Sequence, residues 1–387
     1  MLQTLAVQNY RTLRDLVIEL GPLNLITGAN GSGKSNIYKA LRLLAETAQG
    51  GVIGSLAREG GLGSTLWAGP ETLTPGMRGG DAPVQGGPRQ KSVSLRLGFA
   101  GSEFSYAIDL GLPLPSQSAF ALDPVIKAEH VWAGPVARPA SMLVERHGAV
   151  ARTRCDHGRW QVMSEALSSY DSMLAQMADP RRAPELLTLR EQIRSWRFYD
   201  HFRTDAAAPA RQPQIGTHTP VLGHEGVDLA AALQTIREIG DAQALEAAVH
   251  DAFPGARVVI SAHDGRFEAT MAQHGLLRPL KAIELSDGTL RYLLWIAALL
   301  TPRPPELLVL NEPETSLHPD LLPALGRLIA RAAQHSQVFV VSHARRLIAA
   351  LEEAGALCIA LEKELGETRV AGRSGDFDHP HWVWPVR

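Results

Sequence analysis

Apolar and polar positions along the chain follow two periods, and the shift between them sets out the elements. Residues 2–7 and 16–20 have the apolar content of strands, with the polar stretch 8–15 between them, and predict a hairpin that opens an antiparallel lobe. Residues 23–27 form a short apolar run of the buried-strand kind, and 36–48 carry Ile37, Leu41 and Leu44 at helical spacing. Alternation returns at 92–99 and 103–110 around Gly101, a second hairpin of the same lobe, with short strands predicted at 128–132, 141–146 and 158–162. From 164 to 203 the period turns helical, with Leu186, Leu189, Ile193 and Trp196 along one face. Two more helices, 228–239 and 241–253, are separated by Gly240, and strands follow at 257–261 and 266–272.

Two continuous apolar runs stand apart. Leu307-Leu308-Val309-Leu310 ends in Asn311-Glu312, and Val338-Phe339-Val340-Val341 ends in Ser342-His343. Both read as buried parallel strands that deliver polar side chains at their C-terminal ends. Just before the first, Ser286 reads as the N-cap of an apolar helix running to Leu300. Glycine-rich 55–69, which carries Arg58, predicts a flexible loop; 74–90 predicts a mobile surface loop, and Ala- and Pro-rich 205–220 a surface linker. No internal repeat is present, and no heptad persists long enough for a coiled-coil arm.

Composition changes this picture little. With 387 residues, 45% of them hydrophobic, the chain can bury a large core in two or three domains. The net charge of −2 gives no global electrostatic case for nucleic acid or membrane, although a local basic patch stays open. Cys155 and Cys358 are far apart and outside any C-x-x-C, which speaks against a disulfide framework or a cysteine zinc site and fits a reducing cytoplasm. A strand pattern begins almost at once, and the longest apolar run, 292–300, is far short of a membrane span, so a cytoplasmic protein is expected.

The candidate chemistry centres on Gly28-Ala29-Asn30-Gly31-Ser32-Gly33-Lys34-Ser35, a complete G-x-x-x-x-G-K-S sequence between a predicted strand and a predicted helix. Glycines at these positions let consecutive N–H groups turn inward around phosphates, Lys34 adds a mobile cation, and the Ser35 hydroxyl can ligate Mg²⁺. Asn30, Gly31, Ser32, Gly33, Lys34, Ser35 and Asn36 are therefore candidates for binding ATP. The run ending in Asn311-Glu312-Pro313-Glu314 matches a Walker B strand. Glu312 would position the attacking water, while Asn311 stands where an aspartate normally helps hold Mg²⁺, so weaker metal binding and slower turnover are expected. His343 is a candidate γ-phosphate sensor or a plain strand-end histidine, and His318 beside Pro319 reads as a turn residue.

The order phosphate loop, L-S-x-G helix (Leu285-Ser286-Asp287-Gly288), h-h-h-h-x-E-P strand, S-L-H-P (316–319) and V-V-S-H (340–343) resembles the ABC-type ATPase heads of the RecF, SMC and OLD group, within the AAA-domain predicted ATPases. The resemblance covers residues 1 to about 70 and 275 to 365. It implies an α/β P-loop NTPase fold with a mixed sheet and an antiparallel lobe: residues 1–110 and 271–387 form the two halves of the head, and 111–270 a compact, mainly helical insertion. It also implies an ATP-dependent head-to-head homodimer in which Ser286 and Gly288 complete the partner's ATP site; Ser286 as a simple helix cap is compatible with that role. Residues 56–69 are similar to the arginine loop of SMC heads, which makes Arg58 a candidate phosphate or DNA contact beside the reading as a solvated arginine. Only 44 residues follow His343, too few for the Toprim nuclease of OLD-type proteins, so no nuclease is expected. Two functions stand against each other: an ATPase, or a slow nucleotide-gated switch for DNA or a partner protein. A monomeric nucleotide kinase is a third, against which the L-S-D-G and S-L-H-P blocks argue. DNA repair, defence against phage and regulation of an effector all stay open.

Overall fold

In a computed structural model, which describes residues 1–86, 92–114, 117–155, 158–177, 179–373 and 380–385, the alternating stretches of the N-terminal half pair into one antiparallel sheet. Its strand order is Leu13–Glu19, Leu2–Tyr10, Leu95–Gly101, Phe104–Gly111, Val125–Ala133, Met142–His147, Val150–Arg154 and Trp160–Ser164. This sheet belongs to the first of two compact units, Met1–Gly21 with Gly28–Ser195 and Ile359–Arg387. The opening hairpin is tighter than the polar stretch suggested, because Tyr10 pairs with Leu13 and Arg11 turns the chain with a φ of 51°. Helix Lys34–Thr47 lies against strands Leu2–Tyr10 and Leu95–Gly101 through buried Ile37, Leu41 and Leu44. Burial of each such side chain contributes about 1.5–3 kcal/mol.

Two expected loops of this unit hold helix. Residues 55–69 take in the end of the helix Val52–Arg58 and all of the helix Leu62–Thr65, since Leu56 and Leu62 are buried and Leu66 bridges to Tyr10. In the 74–90 stretch Thr74 caps the short helix Pro75–Gly79, accepting a bond from the Met77 N–H; 87–90 lie outside the described residues. Residues 164–203 are less helical than their period. Met173–Gln176 and Pro184–Ser195 are helices, but Trp196 follows the second one and Arg197–Tyr199 is a strand, as three β-compatible residues pair beside Leu308–Leu310.

The second unit, Pro22–Thr27 with Trp196–Cys358, is built on parallel strands. Arg197–Tyr199, Leu307–Asn311, Gln337–Val341 and Leu23–Gly28 follow one another in that order, the last contributing its residues up to Thr27 to this unit. Leu307 to Leu310 and Val338 to Val341 are at most 1% exposed, as expected of strands covered on both faces. Helix Asp287–Leu299 is buried at every position from Leu290 to Leu299, which explains its apolar run from Tyr292 onward; the one buried charge, Arg291, is held by hydrogen bonds. Helices Leu229–Ile239, Ala242–Ala252, Leu322–Ala332 and Arg345–Glu353 complete the core, and a small antiparallel sheet joins Gln214–Ile215, Arg266–Ala272, Arg257–His263 and Leu280–Lys281. The 205–220 stretch is structured: it contains the 3₁₀ turn Pro209–Arg211 and a strand, and Arg211 is 5% exposed. The insertion expected over 111–270 is divided between the units, because the strands at 125–164 hydrogen-bond onto the preceding hairpin while 196–270 pack into the second core. No helix among the described residues is long and apolar enough to cross a membrane.

Candidate functional site

The phosphate-loop motif adopts the backbone its glycines permit. Gly28, Gly31 and Gly33 have φ values of 144°, 80° and 108°, a region that L side chains avoid. Space enforces the choice too: a Cβ at Gly28 would overlap the Leu361 carbonyl oxygen, and one at Gly33 the Thr368 side chain. Lys34 is buried, and its ammonium folds back to donate to the carbonyls of Gly28 (2.7 Å) and Ala29 (3.1 Å). Helix Lys34–Thr47 starts directly from Gly33, with no side chain capping it and no acidic residue in its first turn. Such a helix start presents N–H groups and a positive dipole end, the electrostatic setting that binds phosphate. Ser35 and Asn30 are exposed, and the buried Ser32 Oγ has no hydrogen-bond partner among the described residues.

Two threonines distant in sequence brace this loop. Thr368 Oγ1 donates to the Ser32 carbonyl (2.8 Å) and is 2.7 Å from Thr12 Oγ1, which accepts from Asn36 Nδ2 at 2.8 Å. The sequence gives no local signal for either. Arg58 ends its helix at the surface and pairs with Glu46 at 3.5 Å, so its described contacts lie away from the loop.

At the end of strand Leu307–Asn311 the second unit gathers a different set. Asn311 Nδ2 donates to Asp200 Oδ1 at 2.7 Å, which the pairing of Tyr199 with Leu310 makes possible. Its Oδ1 is buried without a hydrogen-bond partner among the described residues. Glu312 turns off the strand with a φ of 49°, rare for a residue with a side chain, while its N–H donates to Val341. The turn is held from several sides. Buried Glu314 accepts from Ser342 Oγ (2.7 Å) and from the N–H groups of His343 (2.9 Å) and Ala344 (3.2 Å). Trp295 donates to the Pro313 carbonyl, and Arg291 to the carbonyls of Thr315 and Phe202. Burial pulls the Arg291 guanidinium below its ordinary pKa, with Asp287 opposing. His343 Nδ1 stands 3.4 Å from Glu314 and 3.8 Å from Glu312, so the structure brings Glu312 and His343 together at one strand edge.

Ser286 caps helix Asp287–Leu299, accepting from the Thr289 N–H at 3.1 Å, and is exposed. Gly288 follows, where a Cβ would come within 3.2 Å of the Ser316 carbonyl. Arg211 organises this corner from the stretch expected to be a linker: it donates to the carbonyls of Ala282 (2.8 Å) and Leu285 (2.7 Å) and pairs with Asp287 at 2.6 Å. Asp200, Glu314 and Arg211 were all missed by motif reading.

Comparisons with known proteins agree with this architecture. The family model described as "AAA domain, putative AbiEii toxin, Type IV TA system" matches residues 150–349, over half of the chain, and the "AAA ATPase domain" model matches residues 1–56. An OLD nuclease of Thermus scotoductus (strain ATCC 700910 / SA-01) is 48% identical over 44 residues, which is 11% of this chain and 8% of that protein's length. Among solved structures, an SMC head bound to the C-winged helix domain of ScpA superposes with a TM-score of 0.51 at 14% identity, covering 96% of this chain and 97% of that one. The SMC head domain from Thermotoga maritima gives a TM-score of 0.44 at 15% identity, covering 97% and 99%. The SMC-head likeness at 0.51 shows the fold: an ABC-type P-loop head.

Proposed function

The chain belongs to this AAA-domain family, and from that premise we propose that it binds ATP with Mg²⁺, hydrolyses it slowly, and pairs head to head with a second copy while ATP is bound. The observation that carries the reading is the phosphate loop itself, bent by three positive-φ glycines, closed by Lys34 and braced by Thr12 and Thr368. In the proposed cycle the loop N–H groups and Lys34 hold the β- and γ-phosphates. Glu312 takes a proton from water as the water oxygen bonds to the γ-phosphorus and the bond to the ADP oxygen breaks. His343 orients the γ-phosphate, and Ser286 and Gly288 of one copy complete the nucleotide site of the other.

Ser35 and Asn311 are the residues assigned to hold Mg²⁺. The orphaned, buried Asn311 Oδ1 beside the Asp200 carboxylate fits a hard, oxygen-seeking cation. Bound Mg²⁺ neutralises charge on the phosphate oxygens. With a neutral amide at 311 where a carboxylate would carry charge, weak metal binding and slow turnover follow, and that arrangement favours the second reading, a nucleotide-gated switch. A cytoplasmic setting suits Cys155 and Cys358, which form no disulfide among the described residues. DNA maintenance and defence against phage are the processes that the resemblance brings within reach, with DNA or a partner protein as cargo.

The decisive experiment uses Glu312→Gln, which keeps the shape of the side chain but cannot take the proton. With ATP and Mg²⁺ it should accumulate a dimer on size-exclusion chromatography, and adding Ser286→Arg should return it to monomer. A variant that stays monomeric in ATP rejects the head-to-head cycle. Turnover at the parent rate removes Glu312 from the chemistry.

A further inference from the structure

Outside the nucleotide machinery, the eight-stranded sheet of the first unit carries a second constellation. Register pairs His130 with Glu145 and Ala128 with His147, so alternation brings His130, Glu145 and His147 onto one face of adjacent strands. Their donor atoms all lie within 4.8 Å of one another, and the two imidazoles meet edge to face at 5.4 Å. His130 is buried and the other two are half-buried, so the group is shielded but reachable.

The opposite face shows what a purely structural charge cluster looks like in this sheet. There Arg146 and Glu129, fully buried and 2.8 Å apart, are saturated: Arg146 donates to the carbonyls of Gly148, Ser168 and Asp171, while Glu129 accepts from Tyr106, Ser172 and the Met173 N–H. The histidine face is different in kind. Its formal charges are matched, Arg96 with Asp109 and Arg152 with Glu145 through one carboxylate oxygen, and beside them sit two imidazoles in ligand range of the same Glu145.

We propose that His130, Glu145 and His147 form a site for a divalent transition-metal ion of the Zn²⁺ class. Two imidazoles and one carboxylate are the donor set that borderline ions take, with a fourth position left for water. A tetrahedral ion with bonds of 2.0–2.2 Å keeps its ligand atoms about 3.4 Å apart, so occupation asks for side-chain rotation without a shift of strand register. Arg152 holds one Glu145 oxygen, and a carboxylate has lone pairs enough on the other to ligate at the same time. The site ties Val125–Ala133 to Met142–His147 and stabilises the outer strands of the sheet.

The test is titration of the full chain with Co²⁺ alone, without nucleotide, followed by displacement with Zn²⁺. One equivalent should bind with the visible absorption of a four- or five-coordinate ion and raise the melting temperature. His147→Ala and Glu145→Gln, both at half-buried positions, should weaken binding roughly 100-fold or more while keeping the metal-free melting temperature. Ser35→Ala and Asn311→Ala should leave Co²⁺ binding unchanged, which separates this site from the nucleotide machinery. Absence of Co²⁺ binding by the parent, equal binding by His147→Ala, or loss of binding in the Ser35 and Asn311 variants instead would each overturn the assignment.

Discussion

The phosphate loop and the strand end at Asn311–Glu314 are built on opposite plans. In the loop, main-chain conformation makes the shape, with glycines at φ values few other residues adopt and Lys34 laid along two carbonyls. At the strand end, side chains make the shape: Glu314 gathers three donors, Trp295 and Arg291 pin neighbouring carbonyls, and Asp200 fixes the Asn311 amide. A site shaped by its backbone can lose a functional side chain and remain folded, whereas one shaped by buried side chains loses structure and function together.

The largest effect expected from that contrast is on stability at the strand end. Glu314→Ala leaves the Ser342 hydroxyl and the His343 N–H without their acceptor, while the Ala344 N–H keeps Ser342 Oγ, and should cost about 4 kcal/mol, read by urea denaturation. A loss under about 1 kcal/mol would mean that the turn is held by its backbone after all. Lys34→Ala is the counterpart in the loop. It should reduce ATP affinity roughly 100-fold, about 3 kcal/mol by calorimetry, while folding stability stays within about 1 kcal/mol of the parent. Thr368→Val sharpens the comparison, since it removes the brace without touching the motif. Loss of its bonds to Ser32 and Thr12 should cost about 1–2 kcal/mol and weaken ATP roughly tenfold; unchanged affinity would show that the glycines suffice.

Smallest is Asn311→Asp. The new carboxylate takes the place of an amide that donates to Asp200 at 2.7 Å, so two like charges face each other in the absence of metal. Melting in EDTA should fall by about 1 kcal/mol equivalent and recover with Mg²⁺, and half-saturation of the ATPase rate should shift to several-fold lower Mg²⁺. Identical Mg²⁺ titrations for parent and variant would remove residue 311 from the metal's surroundings.

The same contrast explains how much the sequence revealed. Phosphate-loop geometry was legible because it is written in closely spaced glycines, Gly28, Gly31 and Gly33, and Leu307–Leu310 and Val338–Val341 were legible because full burial leaves an unbroken apolar run. Ser286 as a cap was equally plain, a hydroxyl directly before an apolar helix. Asp200 was hidden because it follows Arg197–Tyr199, a strand of three residues inside a stretch with helical period. Arg211 was hidden by Ala and Pro neighbours that suggest a surface crossing, although its guanidinium satisfies buried carbonyls of the segment before Ser286. Thr12 and Thr368 were hidden by distance. His130, Glu145 and His147 carry no spacing signature, since strand register and not sequence interval brings them together.

That distance between Thr12 and Thr368 has a consequence during synthesis. A ribosome releases the phosphate loop more than three hundred residues before it adds the residue that locks Ser32 in place. Until then the nascent chain carries an unlocked loop, and pairing over such a sequence separation is among the slow, late events of folding. Competence to capture a nucleotide therefore waits until the hairpin of Leu357–Glu364 and Glu367–Val370 has been made and Thr368 has closed onto Thr12 and Ser32.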